Sequence, residues 1–436
     1  MSTTSTYIPT LDQEPIHQKR LIINGRIRDD TMFRRRYVHR DDVSRLPIAK
    51  QQVLLLHGPR QKYMLEPTHG IPALKSEDEV LVKILAIGLN PIDWKGPDYN
   101  FGLPSLPWIN GRDFVGVVVR TFSENSNLRV GDVILTPSTD YRDIRKAAFQ
   151  EYAVTTSFNA ARVPSLCSIP AAAATGVAFV AASLALGVCF GLDFSMISGS
   201  CKGPNLSKIL QQTDIDSLPE DIRPACRSCA NLTTQVRPGD CIAIWGASTT
   251  TGYMILQLAK LLKLRVICVA DIERHGAKLL EAGADLLVDR KDPERAIQII
   301  RGVTKGKLRY ALDIVGKDTA TILEGALQQN NDSQLSHLLG VTGLPKTKSP
   351  NVAHHVVPIK LFHTTPLVGG RLMSWLETLL LHGSLAPPDT INAKGGLEGI
   401  NEALEGMKAG TVSGKRVVVG LDKEVEYEFT SLPCSC

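Results

Sequence analysis

The hydrophobic pattern of the chain begins with short alternating runs. From about residue 48 to 168, apolar stretches such as EDEVLVKILAIG, GVVVR and GDVILT are separated by polar turns. Val80, Val82, Ile84 and Ala86 recur with period two, which places them on one face of a predicted strand. Short strands with frequent Gly, Asn, Ser and Asp turns predict a β-rich barrel or sandwich domain.

The pattern changes after about residue 236. CIAIWG is a short apolar run typical of a buried parallel strand, and Tyr253, Leu256, Ala259 and Leu262 then recur at helical spacing. LRVICVA, ERHGAKLLEAGA, DLLVD and YALDIVG continue the alternation of strand and helix. This order predicts a doubly wound parallel sheet, so the fold class is α/β with a second, β-rich domain.

Two further segments differ from these patterns. No charge occurs between Arg162 and Asp193, and the stretch is long enough to span a membrane. Its Ala and Gly content is more typical of a buried core helix. The following residues, 190–236, are polar and predict a surface insertion. Residues 1–47 mix basic and acidic clusters without an apolar period and predict an N-terminal extension.

Composition narrows the class of protein. Hydrophobic residues make up 43% and charged residues 21% of 436, values of a globular protein. The net charge of +5 is too small for this length to indicate a nucleic-acid partner. The nine cysteines are an odd number, typical of reduced thiols rather than a disulfide framework. With no apolar signal segment at the N-terminus, we expect a cytoplasmic protein without a membrane anchor.

The strongest chemical feature is IWGASTTTGYMILQLAK, residues 244–260. A strand, a turn and a helix in this order form the context of a dinucleotide site. Gly246 ends the strand, and Gly252 would let the helix approach closely. Threonines replace the central glycines, so an ordinary β–α turn is the alternative. The candidate cofactor-binding residues of the turn are Gly246, Ala247, Ser248, Thr249, Thr250, Thr251 and Gly252.

Three charged residues bear on the type of dinucleotide. Asp271 follows Gly252 by 19 residues, where a carboxylate usually binds the ribose hydroxyl of NAD. Arg274 and Arg290 lie nearby in sequence and would neutralise a 2′-phosphate. Asp271 also fits a simple helix N-cap. These residues alone leave the choice between NAD and NADP open.

Seven segments together resemble the medium-chain dehydrogenase/reductase superfamily. They are AIGLNPIDWKG, NGRDFVGVV, LRVGDVILT, FQEYAV, IPAAAATGVAF, LLEAGADLLVD and VSGKRVVV, and the resemblance covers about residues 50 to 421. The resemblance implies a GroES-like catalytic domain at 48–168, completed by 355–436. It implies a Rossmann domain at 169–354 that contains the 190–236 insertion.

Within that superfamily the chain is similar to zinc-free quinone-oxidoreductase-type proteins, and most of all to the fungal trans-acting enoyl reductases that assist polyketide synthases. This resemblance implies an NADP(H)-dependent reduction of an α,β-unsaturated thioester in secondary metabolism, with the small-molecule substrate held on a carrier protein. It adds Val341, Ser413 and Lys415 to the cofactor-binding candidates. A quinone or carbonyl reductase is one alternative, and a non-catalytic cofactor-binding or interaction protein is another.

The same resemblance predicts that zinc is absent. Zinc-bearing relatives place a Cys and a His-Glu pair where this chain has Asn90 and Arg112-Asp113, and a guanidinium is not a zinc ligand. Cys226-x-x-Cys229 lacks a partner pair, and the histidines at 354 and 355 are interpreted as incidental.

Without a metal, hydrogen bonds must stabilise charge on the substrate carbonyl oxygen. Asn90, Asp93, Lys95 and Thr175 are candidates for this role, and Gly176 is a further substrate-contact candidate. Tyr99 is a candidate proton donor because mitochondrial-type enoyl reductases carry a Tyr in this loop. Counted from the N-P-x-D motif, however, their position falls on Phe101, and water is the alternative donor.

Overall fold

A computed structural model describes residues 50–421 except 125, 139, 141, 233–234 and 329–334, together with 22–23, 26–27 and 30–33. The predicted extension at 1–47 thus lies mostly outside the described residues. Its described parts are the antiparallel pair β1 (Ile22–Ile23) and β2 (Arg26–Ile27) and a 3-10 turn at Asp30–Phe33. The turn contacts the body of the protein, because the Arg162 guanidinium lies 4.4 Å from the centre of the Phe33 ring.

The first half of the chain forms two antiparallel sheets. Its elements in chain order are β3 (Lys50–Leu56), β4 (Met64–Gly70), β5 (Glu79–Gly88), α1 (Pro91–Tyr99), β6 (Trp108–Ile109), β7 (Asp113–Thr121), β8 (Val133–Pro137), β9 (Tyr152–Thr156) and β10 (Ala161–Arg162). The smaller sheet has the order β4-β3-β6. In the larger sheet, β5 pairs with both β7 and β9, so the longest strand lies inside the sheet.

The side-chain alternation in β5 is interrupted. Val80, Val82 and Ile84 share one core cluster, as the period of two predicts. Ala86 belongs to the opposite cluster, because the pairing with β7 shifts register between Ile84 and Ala86. The prediction of one face for all four residues was therefore wrong at Ala86, since a register shift of one residue reverses the face of every side chain beyond it.

The Ala-rich segment is buried, but it forms two helices rather than one. These are α2 (Ile169–Ala173) and α3 (Gly176–Leu184), and a π-helical turn at Ala185–Cys189 continues α3. Within the described ranges, none of the helices has the length and apolar character that a membrane crossing requires. The segment instead belongs to the largest hydrophobic core of the molecule.

The 190–236 segment contributes to the same core, which its polar composition did not predict. It contains α4 (Leu206–Gln211) and α5 (Arg223–Ala230). Leu206, Leu210, Cys226 and Cys229 are at most 2% exposed. The insertion therefore covers apolar surface at the end of the Ala-rich helices, while its polar residues face outward.

The second half of the chain forms a six-stranded parallel sheet with the order β13-β12-β11-β14-β15-β16. Ile242 and Ile244 of the central strand pack on one face, and Ala243 and Trp245 pack on the other. Both faces are buried because helices cover each of them. The elements are β11 (Cys241–Trp245), α6 (Thr250–Leu261), β12 (Arg265–Ala270), α7 (Ile272–Glu281), β13 (Leu286–Asp289), α8 (Pro293–Thr304), β14 (Tyr310–Asp313), α9 (Lys317–Glu324), β15 (Ser336–Gly340) and β16 (Val352–His355).

The last part of the chain returns to the first domain. It comprises α10 (Leu361–Thr364), α11 (Pro366–Leu381), β17 (Thr390–Ala393), α12 (Ile400–Lys408) and β18 (Arg416–Gly420). β18 lies between β5 and β17, which completes the larger sheet in the order β10-β8-β7-β5-β18-β17. VSGKRVVV therefore forms a turn that leads into an interior strand of this sheet.

A stack of three rings is buried at one side of the parallel sheet. The ring centres of Tyr310 and His337 are 5.2 Å apart, and those of His337 and His355 are 5.3 Å apart. Burial lowers the pKa of His337 to about 4 and that of His355 to about 3. The charge of Arg309 adds to the shift of His337, and repulsion from a protonated His337 adds to that of His355. Both imidazoles are thus neutral in the folded protein at neutral pH.

We predict that these histidines make the protein sensitive to acid. Between about pH 6.5 and pH 4 the unfolded chain binds protons that the folded state excludes, so the free energy of unfolding falls as the pH falls. Urea unfolding of His355→Gln across this range should show a shallower pH dependence than the wild type. The exposed His57→Gln is the matched control, and an unchanged slope in His355→Gln would contradict the prediction.

Candidate functional site

A crevice lies at the carboxyl edge of the parallel sheet. The strand order reverses direction between β11 and β14, and ligands of doubly wound sheets bind outside such a point. Gly246 directly follows β11 there, and Val315 lies two residues beyond the end of β14. A Cβ built on Gly246 would lie 2.8 Å from the Val315 side chain, so the two strand ends approach each other closely.

The turn after β11 is held by Thr249. Its hydroxyl donates to the Gly246 carbonyl (2.8 Å) and accepts from the Gly252 amide (3.1 Å), which makes Thr249 the N-cap of α6. Gly246 has φ +87°, a conformation that favours glycine. The Thr249 hydroxyl thus serves the turn itself, and the amides in the first turn of α6 are oriented to receive an anion.

Gly252 allows the helix to start this close to the strand. A Cβ at this position would lie 2.4 Å from the Gly246 carbonyl oxygen and 2.8 Å from the Ala247 Cα. Neither neighbour is the end of a flexible side chain, so a substitution must displace backbone. This explains why the sequence retains this glycine although threonines replace those between 246 and 252.

Asp271 is at the end of β12 and occupies the N-cap position of α7, but its side chain does not cap the helix. The residue is 7% exposed, and its Oδ1 has no hydrogen-bond partner among the described residues. Two cations approach the carboxylate at longer range, with Arg290 Nη2 at 3.9 Å from Oδ2 and Lys291 Nζ at 3.9 Å from Oδ1. The carboxylate and both cations therefore face the same small region beside the crevice.

The C-terminal return contacts α7 from the opposite side. His275 Nε2 is 2.8 Å from Ser413 Oγ, and Lys278 Nζ is 2.7 Å from Asp389 Oδ2. Gly414, with φ +67°, lies so close to the His275 ring that an added Cβ would be 2.5 Å from it. Burial, followed by the charge of Arg274, lowers the pKa of His275.

Together these segments enclose a small concavity. Ser248 and Thr250 of the turn line it, with Tyr253 of α6, His275 of α7 and Gly414 of the return. The structure thus brings the predicted turn and the predicted VSGKRVVV segment to one place.

The remaining cofactor-binding candidates, Val341, Arg274 and Lys415, are not among the residues that line this concavity. Val341 follows β15, and its amide donates to the Asp313 carbonyl (2.8 Å). Arg274 in α7 is exposed, and Lys415 directly precedes β18. Their contacts with a dinucleotide stay a prediction.

The predicted catalytic residues of α1 differ in their surroundings. Asp93 is 1% exposed, and its Oδ2 accepts from the Asn90 amide (2.7 Å) across the start of the helix. Burial raises the pKa of the Asp93 carboxyl to about 7. Lys95 is half-buried, with its Nζ 5.5 Å from the centre of the Trp94 ring.

The other candidates lie at the two extremes of exposure. Tyr99 is 68% exposed and Phe101 is 47% exposed, so neither is fixed by a packed environment. Thr175 is fully buried, and its hydroxyl donates to the Ala171 carbonyl (2.8 Å) between α2 and α3. The structure therefore gives the Thr175 side chain a helix-end contact, and its role toward a substrate stays a prediction.

A buried polar cluster includes the residues that stand where zinc-bearing relatives carry their ligands. We define it as Asn90, Asp93, Arg112, Asp113 and Arg416, each of which is at most 6% exposed. The Arg416 guanidinium donates to Asp113 Oδ2 (2.7 Å) and to Asn90 Oδ1. Asn90 Nδ2 donates to the same Asp113 oxygen (3.0 Å). The cluster is formally neutral, with two arginines and two aspartates.

Asp113 also extends toward the helices. Its Oδ1 accepts from the Val177 amide (2.7 Å) in the first turn of α3. A Cβ on Gly176 would lie 2.6 Å from that oxygen, so the glycine leaves room for the carboxylate. Burial raises the pKa of the Asp113 carboxyl, and the Arg416 guanidinium opposes this shift.

The cysteines and histidines considered as metal ligands from the sequence do not form a metal site in the described part of the chain. Among the described residues, no three His, Cys, Asp or Glu side chains are grouped as a metal site. Cys226 and Cys229 are buried free thiols, and His354 Nε2 lies 2.7 Å from Glu324 Oε1.

Sequence reasoning missed two contributors to the site. Arg416 had a weak signal, since it follows Lys415 at the start of the apolar run RVVVG and no pattern pairs it with Asp113. Lys291 is next to Arg290 in the chain, but it belongs to no motif that would have drawn attention to it. In both cases the partner carboxylate is distant in sequence, and 303 residues separate Arg416 from Asp113.

Comparison with protein families agrees with this architecture. Residues 76–165 match the alcohol dehydrogenase GroES-like domain, and residues 250–349 match the domain described as zinc-binding dehydrogenase. The first match covers most of the antiparallel domain, and the second begins at the first residue of α6. The predicted fold class, a GroES-like domain with a Rossmann domain, is confirmed.

Curated relatives match over most of their length. The chain is 28% identical to trans-enoyl reductase phm4 of Pyrenochaetopsis sp, over 82% of this chain and 93% of the relative. It is 27% identical to trans-enoyl reductase BOA5 of Botryotinia fuckeliana, over 84% and 98% respectively. Among solved structures, Escherichia coli quinone oxidoreductase complexed with NADPH superposes with a TM-score of 0.61 at 17% identity, over 85% of this chain and 99% of that chain.

These matches indicate an oxidoreductase built from the two domains of alcohol dehydrogenases, and they support the resemblance to the medium-chain dehydrogenase/reductase superfamily. Within that superfamily, the chain is similar to proteins of the enoyl reductase type, since both of these curated relatives are named trans-enoyl reductases.

We predict that Gly252→Ala destabilises the protein by about 1–3 kcal/mol, because the new methyl group must displace the Gly246 carbonyl and the Ala247 backbone. A Cβ added to Gly302 in α8 would have no atom within 4 Å, so Gly302→Ala is the matched helical control and should be neutral or stabilising. Urea unfolding of both variants tests this, and equal stabilities would contradict it.

Proposed function

We propose that this protein is an NADPH-dependent, zinc-independent reductase of activated carbon–carbon double bonds. The observation that carries the proposal is the buried polar cluster, in which Arg416 bonds to two of the residues at the metal-ligand positions. Hydrogen-bond donors, rather than a metal ion, then stabilise the charge that develops on the substrate.

The crevice fits a dinucleotide. Gly252 and Gly246 keep the turn free of side chains, and the amides at the start of α6 would receive the pyrophosphate. Val315 and Val341, which come after β14 and β15, would border the nicotinamide half. When bound, the reduced nicotinamide supplies a hydride to the β-carbon of the acceptor.

The charges near Asp271 support NADPH over NADH. A carboxylate alone would repel a 2′-phosphate, but Arg290 and Lys291 both lie 3.9 Å from this one and are more than half exposed. The Arg290 side chain can therefore turn from Asp271 toward a phosphate, whereas Lys291 must first release its 2.8 Å bond to Glu273 Oε2. The place at which NAD-dependent relatives carry their acid is Ala270, one residue earlier.

The donor set of the buried polar cluster does not fit zinc. Asn90 is bonded to Arg416 and Asp113, and a guanidinium already contributes positive charge at this place. A second cation there would be repelled, and arginine nitrogens do not coordinate zinc.

Substrate polarisation is assigned to Lys95. Negative charge forms on the acceptor carbonyl oxygen during hydride addition, and a fixed donor lowers the energy of that state. Asn90 and Asp93 direct their polar groups into the buried cluster, whereas the Lys95 ammonium lies over the Trp94 ring outside it. The proton for the α-carbon then comes from Tyr99 or from water. Both stay open as donors because Tyr99 is exposed, and water therefore has access to the same place.

The names of the relatives suggest the form of the acceptor. Trans-acting enoyl reductases serve a separate polyketide synthase, so we propose an α,β-unsaturated thioester on a carrier protein as the substrate. NADPH oxidation by the purified chain should be measured with short enoyl thioesters, ketones and quinones, and the products identified by mass. Reduction of the enoyl thioesters is expected, whereas turnover of quinones or ketones alone would overturn the proposal.

We predict at least an approximately tenfold preference for NADPH over NADH. A charge-assisted bond to a phosphate contributes roughly 1.5–3 kcal/mol, or about ten- to a hundredfold in affinity. Arg290→Ala with Lys291→Ala should therefore weaken NADPH binding by about tenfold or more and leave NADH binding nearly unchanged. Titration of both cofactors tests this, with Lys208→Ala in α4 as the control, and equal use of the two cofactors by the wild type would contradict it.

We also predict that activity does not depend on zinc. Elemental analysis of the purified protein should find well below one zinc ion per chain, and chelators should leave the rate unchanged. A stoichiometric zinc ion whose removal abolishes activity would refute the assignment of the polar cluster.

A further inference from the structure

Arg416 lies where the two domains meet around a single carboxylate. Its guanidinium bonds to Asp113 in β7 and to Asn90, the residue that precedes α1. Asp113 in turn accepts from the Val177 amide at the start of α3. Three elements that are remote in sequence therefore meet at one ion pair whose side chains are 7% and 1% exposed.

Two of these elements, α1 and α3, lead toward different parts of the proposed site. Asn90 is the N-cap residue of α1, which carries Lys95 and Tyr99. The helix α3 packs against α6, whose first turn forms the cofactor-binding end of the crevice. A change in the Asp113 carboxylate would thus move the substrate side and the cofactor side relative to each other.

Charge explains why the arginine is needed at this place. Asp113 is completely enclosed, and its two neighbouring amide donors supply only neutral hydrogen bonds. A buried carboxylate without a paired cation becomes protonated or moves toward water, and either change alters its hydrogen bonds. Arg416 favours the ionised carboxylate and bonds to the same oxygen as Asn90, while the other oxygen accepts from α3.

We propose that Arg416 is a positioning residue for hydride transfer, which holds the start of α1 and the start of α3 in register through Asp113. The inference rests on the proposed function, because it assumes that the reacting groups lie on these two sides. Arg416 itself contacts neither substrate nor cofactor in this assignment. Displacements of about 1 Å in such geometry cost about a hundredfold in rate.

The test compares Arg416→Met with a matched control, Arg145→Met. Arg145 forms a similarly buried ion pair with Glu79 (2.7 Å) at the far end of β5. Both variants should lose stability, but only Arg416→Met should lower kcat, by about 10- to 100-fold. The dissociation constant of NADPH should change much less than kcat, and Arg416→Lys should recover part of the rate.

A double variant separates positioning from simple charge neutralisation. Arg416→Met with Asp113→Asn removes both charges and keeps an acceptor for the Val177 amide. We expect this variant to regain stability, since a buried pair can be replaced by neutral groups, but not to regain kcat. Recovery of both would show that Arg416 only neutralises Asp113 and would overturn the proposal, as would a wild-type kcat in folded Arg416→Met.

Hydrogen exchange gives a readout that does not require turnover. Peptides that cover residues 176–184 should exchange faster in Arg416→Met than in Arg145→Met, because the Val177 amide loses a fixed acceptor. If the wild type reduces quinones but no enoyl thioester, the proposed function fails, and the same comparison with the quinone still tests Arg416. Unchanged exchange together with an unchanged kcat would refute the positioning role in either case.

Discussion

A carboxylate that is removed from water needs hydrogen bonds on both oxygens and a positive charge nearby, and Asp113 obtains these from three other segments. Asn90 and Arg416 donate hydrogen bonds to one carboxylate oxygen, and the Val177 amide donates to the other. The need to satisfy this one group fixes the end of β5, the start of α3 and the first residue of β18 relative to one another. Gly176 is part of the same requirement, since a side chain there would occupy the space of the carboxylate.

The nucleotide turn shows how a fold tolerates the loss of a familiar motif. The glycines of the dinucleotide fingerprint serve to make a tight turn and to allow close packing. In this chain Gly246 and Gly252 retain both functions, and Thr249 stabilises the turn between them by capping α6 with its hydroxyl. A literal reading of the motif would reject the proposed site, whereas the two remaining glycines keep the turn geometry that the proposal requires.

The sequence predicted the fold better than it predicted individual contacts. Two features were sufficient to predict the fold of both domains: the alternation of strands and helices after residue 236, and the order of the seven segments. Both can be read from residues that are close together in the chain. The Ala86 face was wrong because a register shift depends on the pairing with β7. The buried polar cluster was found only in part. Asn90, Asp113 and Arg416 all lie in recognisable segments, but no local pattern pairs Arg416 with carboxylate and amide groups more than 300 residues away. Polar composition at 190–236 likewise concealed the few apolar residues that enter the core.

The interior position of β18 has a consequence for how the protein is made. A ribosome synthesises β5 and β7 long before β18, with the whole parallel-sheet domain in between. Until β18 emerges, residues 86–88 of β5 lack the neighbour that later pairs with them, and Asp113 and Asn90 lack their arginine. The nascent chain must therefore carry an open sheet edge and an unpaired carboxylate through most of its translation, a period in which such edges are prone to misassociation.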